Sequence, residues 1–113
     1  MSVKFDFKSL DTGFEADWPV TVGVQKDGGV IEEQTFMARF KTPSPAKQEE
    51  LKAIEEPNPR LRAALKDGFV GFATSEGETL TDAMFDKMWG AQNVQLGLIR
   101  AFMAFQTGTP AKN

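Results

Sequence analysis

The chain has 113 residues, 13 basic and 16 acidic side chains, a net charge of −3, and 41% hydrophobic residues. That balance fits one folded domain and excludes chain-wide disorder. It contains no cysteine and no histidine, so disulfides, thiolate metal sites and the commonest general base are excluded. The mildly acidic charge, with no Lys/Arg cluster, argues against a nucleic-acid binder, which needs a basic face. No window approaches the ~20 apolar residues of a membrane span. The N-terminus has no apolar run of signal-peptide length. Ten Phe, two Trp and no Tyr make the aromatics packing residues without hydroxyl chemistry.

Val3 to Phe7 alternates apolar and charged residues, which predicts a short strand or an arm that pairs with something. Ser9 to Gly13 is a turn-rich break. From Phe14 to Val24, the residues Trp18, Val20, Val22 and Val24 share one face at a period of two. Pro19 within that run predicts an edge strand, or one that begins after the proline. Lys26-Asp27-Gly28-Gly29 is a strong hairpin signal. The return strand is Val30 to Lys41, with Phe36, Ala38 and Phe40 on one face and Thr35, Met37, Arg39 and Lys41 on the other.

Ser44 and Pro45 read as N-cap and first residue of a peripheral helix reaching about Glu55, with Leu51 and Ile54 buried. Asn58 and Pro59 repeat the device. That second helix carries Leu61 and Leu65 toward Gly68, which either ends it or permits a close contact. Leu65 to Phe72 thus reads as a buried junction, followed by a polar loop from Ala73 to Thr79. Thr81 or Thr79 caps a helix over Asp82 to Trp89, whose apolar face is Phe85, Met88 and Trp89, with Gly90 as its stop.

Asn93 caps the last helix, Val94 to about Gln106, which Gly108 ends. Its stripe of Val94, Leu98, Ala101, Phe102 and Phe105 faces the core. Leu96, Ile99 and Met103 form a second stripe nearly opposite. A helix apolar on two sides is deeply buried or has a partner, and in so small a chain a partner is the favoured reading. The whole is α+β: an N-terminal antiparallel hairpin or small sheet, then about four helices. Residues 1–106 form a single domain and 107–113 a flexible polar tail.

No arrangement of reactive residues emerges. The pairs Glu32/Glu33, Glu49/Glu50 and Glu55/Glu56 are adjacent and do not converge. Asp82 and Asp86, one helical turn apart, lack a third ligand and suit the helix dipole better than a cation. Hydroxyl nucleophiles have no arranged base. Trp18 and Trp89 read as core packing before interface anchors. The expectation is a non-enzyme without cofactor.

The order of segments carries a resemblance. Phe36-Met-Ala-Arg-Phe-Lys41 ends the hairpin, and a polar helix follows. Then come Phe69-Val-Gly-Phe72, the acidic loop Ser75-Glu76-Gly77-Glu78, a Phe85/Trp89 helix, and a closing helix with Leu98-Ile-Arg-Ala-Phe102. Over residues 18–106 this resembles the tail assembly chaperones of long-tailed bacteriophages and prophages. The family's tryptophan after Val-Gly is Phe72 here. The resemblance implies a non-enzymatic helper in the host bacterial cytoplasm, absent from the finished virion. It would bind the tape measure protein and recruit tail tube protein subunits.

A surplus apolar helix face suits reversible helix binding. The expected contact residues are Leu96, Ile99, Met103 and Arg100, with Met84 and Met88 as adaptable neighbours. The same surface could serve self-association. Family members are often made in two forms by ribosomal frameshifting. Ala111-Lys112-Asn113 can be encoded by a run ending A AAA AAC, on which ribosomes slip back by one base. The rival reading is a structural virion component, a tail tube or terminator subunit.

Overall fold

The computed structural model describes residues 4–73 and 78–110. After a four-residue helix α1 (Ser9–Thr12), the chain forms strands β1 (Glu15–Lys26) and β2 (Val30–Lys41), then helices α2 (Pro45–Lys52) and α3 (Pro57–Gly68). Strand β3 (Phe69–Phe72) and helices α4 (Asp82–Gly90) and α5 (Gln92–Thr107) complete it. The three strands make one antiparallel sheet in the order β1-β2-β3, and the fold is α+β.

The hairpin forms where its turn chemistry puts it. Gly28 and Gly29 take φ of 77° and 79°, a left-handed region that glycine enters without a Cβ clash. From there β1 and β2 pair without a register break, Lys26 opposite Val30 and Trp18 opposite Ala38. At the far end the Thr42 N–H donates to the Phe14 carbonyl (2.9 Å), and the Phe14 N–H donates to Thr42 Oγ1 (2.9 Å). Because peptide groups alternate along an antiparallel ladder, this bond turns the even-numbered groups of β1 toward β2 and the odd-numbered ones outward. Pro19 is odd, so its missing N–H falls on the free edge. Part of that edge is covered by α5: Asn93 Nδ2 donates to the Gly23 carbonyl (2.8 Å), and Gly97 backs onto the Thr21 carbonyl.

The two faces of the sheet differ as alternation requires. Val20, Val22, Ala38 and Phe40 are buried against Leu65, Phe85, Leu98 and Phe102. Burying each large side chain contributes roughly 1.5–3 kcal/mol. On the other face Arg39 reaches Glu15 (3.0 Å) and Asp17 (3.1 Å), and the Thr21 and Thr35 hydroxyls meet at 3.0 Å. The hydrogen bonds that Arg39 donates to Glu15 and then to Asp17 raise its pKa above the ordinary value, so Arg39 is charged at every working pH.

Several local expectations are corrected. Among the described residues of the N-terminal segment there is no strand (Val3 lies outside them): Lys4 to Asp6 are irregular and Ser9–Thr12 is a helical turn. Helix α2 stops at Lys52 rather than Glu55, since Leu51 is its one buried residue and little holds a further turn. Helix α3 begins at Pro57 with Glu56 before it, so Asn58 lies inside the first turn and caps nothing. Asn93 lies inside α5, which starts at Gln92, and its amide is spent on β1. Of the acidic loop, residues 74–77 lie outside the described part.

The junction at Leu65 to Phe72 becomes a third strand. Helix α3 ends at Gly68, where a Cβ would overlap the Phe102 ring. The chain then runs antiparallel to β2, Phe72 opposite Ala38 and Phe69 opposite Phe40, with an irregularity between Arg39 and Phe40. The Phe69 ring meets Phe40 edge-on at 5.7 Å, and Phe72 meets Phe36 at 5.7 Å. Edge-to-face pairs of this kind add to the area they bury.

Candidate partner-binding face

Helix α5 is cut into two sides by the way it lies on β1. Its buried residues are Gly97, Leu98, Ala101, Phe102 and Phe105. At 100° per residue they occupy one arc. Leu96, Arg100 and Met103 fall on the opposite arc, and Leu96 and Met103 are 47% and 53% exposed. Arg100 is exposed beside them and makes no ion pair among the described residues. Ile99 sits on the flank of this face, half-buried and packed on the core.

The two methionines of α4 are placed differently. Thr81 Oγ1 accepts from the Met84 N–H (3.1 Å) and starts the helix, whose Phe85 enters the core. Met88 is half-buried against that core and Met84 is half-buried as well. The structure thus brings Leu96, Arg100 and Met103 onto one open face of α5, sets Ile99 at its border, and leaves Met84 and Met88 on a separate helix. Trp89 stacks on Phe85 at 6.0 Å and is half-buried, a packing role.

Asp82 and Asp86 have partners on α3. Asp86 pairs with Arg62, and Asp82 with Lys66 at 3.8 Å. The Arg62 guanidinium also lies 5.4 Å from the Phe85 ring centroid, so the two pairs bracket a buried aromatic and tie α3 to α4. All four side chains are more than a third exposed, and such pairs are each worth at most about 1 kcal/mol. Among the described residues no three His, Cys, Asp or Glu side chains converge as a metal site. No described helix is long and apolar enough to cross a membrane.

A groove of about 640 Å³ runs between α5 and the outer face of the hairpin. Pro19, Thr21, Ile31 and Glu33 form one wall, and Gly97, Arg100 and Ala104 the other. The signal for it was the run of small residues Gly97, Ala101 and Ala104, which thins one flank of an otherwise bulky helix. No protein-family model, curated protein or solved structure matches the chain.

Proposed function

We propose that the protein is a non-enzymatic phage tail assembly chaperone. It binds helical segments of the tape measure protein, helps recruit tail tube subunits, and acts in the host bacterial cytoplasm without entering the finished particle. The observation that carries this reading is the open face of α5. The helix sets Gly97 and Phe105 on β1 and Phe102 on Phe40 and Gly68, and this leaves Leu96 and Met103 about half exposed on either side of Arg100. An unbranched thioether and an aliphatic side chain around a lone cation suit an amphipathic helix with acidic flanks, laid on and released again.

The test is co-expression with the tape measure protein of the same phage or prophage, using wild type and Leu96→Glu/Met103→Glu. Both positions are exposed, so stability should change by no more than about 0.5 kcal/mol. Binding should weaken at least about tenfold if the face is the anchor. Undiminished binding by a folded double variant overturns the assigned face. Stoichiometric presence of the protein in purified particles overturns the chaperone reading in favour of a structural tail component.

A further inference from the structure

We propose that two copies of this chain associate by exchanging their N-terminal arms. The arm, residues 4–14, of each copy seats Phe5 and Phe7 in the groove between α5 and the outer hairpin face of the other. This does not rest on the chaperone reading, and of the α5 face described above it uses only Arg100.

The arm is the first reason. Phe5 and Phe7 are 48% and 70% exposed, and Leu10 and Phe14 are exposed too. Four large apolar side chains on one short segment are more than a monomer ordinarily leaves in water together. The Phe5 and Phe7 rings meet each other edge-on at 5.1 Å. The segment alternates as a strand would, yet it folds on itself. The Ser9 N–H and hydroxyl both donate to the Asp6 carbonyl, and the Gly13 N–H donates to Ser9. None of the arm's residues lines the groove of its own molecule.

The groove is the second reason. Its volume, about 640 Å³, is roughly that of a site for a drug-sized apolar group. Ala101 and Ala104 on one wall and Pro19 and Ile31 on the other make it apolar where aromatic rings would sit. Glu33 and Arg100 stand on opposite walls, and neither makes an ion pair among the described residues. The arm carries the matching pattern, Lys4-Phe5-Asp6-Phe7-Lys8: apolar rings between side chains of both signs. A lysine can meet Glu33 while Asp6 meets Arg100. Reciprocal exchange makes an isologous contact, so both arms and both grooves are filled in one closed dimer.

Sedimentation of the full chain over a range of concentrations reads the oligomeric state. The expected result is a dimer whose dissociation constant rises at least about tenfold in Phe5→Ser/Phe7→Ser, with unchanged circular dichroism. Glu33→Lys should weaken it likewise, and Lys4→Glu/Lys8→Glu in the same chain should restore it. Because the chain has no cysteine, Phe7→Cys mixed with Ala104→Cys should give a disulfide-linked heterodimer on oxidation. A wild type that stays monomeric overturns the proposal, as does an arm variant that dimerises as tightly as wild type. If Phe7→Cys/Ala104→Cys bridges within one chain alone, exchange is overturned in favour of a self-filled groove.

Discussion

At Gly68 an added Cβ would meet the Phe102 ring and come within 3.0 Å of the Lys41 carbonyl. The ring cannot swing clear, because Phe102 is buried and lies 5.3 Å from Phe40. Gly90 is the counterpart: it also ends a helix, and nothing lies within 4 Å of the corresponding point. Neither residue has a positive φ, so an alanine is sterically allowed by the backbone at both. Gly68→Ala should therefore destabilise by about 1–3 kcal/mol through overpacking. Gly90→Ala should stabilise by about 0.4–1 kcal/mol through the unfolded chain. Urea titration of the two variants checks the opposite signs. The sequence leaves Gly68 open between helix stop and close contact, and in the fold it is both. Gly97, which abuts the Thr21 carbonyl, gave no sign of its own because its neighbour is seventy-six positions away.

Elements of this chain differ in what holds them. Helices α2 and α4 are both capped by a hydroxyl: Ser44 Oγ accepts from the Lys47 N–H (3.2 Å) as Thr81 Oγ1 accepts from Met84. Only α4 is anchored by a core aromatic, Phe85, whereas α2 buries Leu51 at the margin. Removing either cap costs about 1 kcal/mol locally. For Thr81→Ala the loss should appear in global stability, a fall in Tm of about 4 °C. For Ser44→Ala it should appear as faster amide exchange within α2 with little change in Tm, because α2 can open alone. Equal effects on Tm would show that α2 is coupled to the core more tightly than its burial implies. The Ser44 cap is legible in Ser-Pro, whereas at α4 the sequence offers Thr81 or Thr79 and the structure selects Thr81. The same residue-type rule points to Asn58 and Asn93, which lie inside their helices. A cap-forming residue type is necessary for a cap, but the position where the helix enters is set by packing, and Asn93 was claimed by β1.

The whole molecule is looser than its length requires. Its radius of gyration is 15.3 Å, against about 13 Å for a compact domain of this size. The turn half of the hairpin accounts for part of this: residues 25–35 are exposed throughout, with Val30 and Ile31 in water. The N-terminal segment, with Phe5 and Phe7 outward, is likewise exposed. The core is correspondingly small and concentrated on Phe40, Phe102, Leu65, Leu98 and Val20. Phe102→Ala should cost about 3–5 kcal/mol. That is a large part of the ~5–15 kcal/mol that a domain has in total, so calorimetry should find the variant near the edge of folding.

The amino-acid sequence determined the local parts of this protein by itself. Asp27-Gly28-Gly29 and the alternation around it set the hairpin and which of its faces is apolar. Ser44-Pro45, Thr81 and Gly108 punctuated the helices, and the spacing of Leu98, Phe102 and Phe105 marked the core side of α5. These are short-range matters of steric preference and periodicity, complete within a few residues. Tertiary structure alone decided that Phe69–Phe72 pairs with β2, because a four-residue run becomes a strand only when an edge is offered to it. It alone decided that α5 settles along β1 at Gly97, thereby leaving Leu96 and Met103 outside and opening a groove beside them. Those outcomes depend on which distant backbones can approach most closely, a property of no single stretch of the chain.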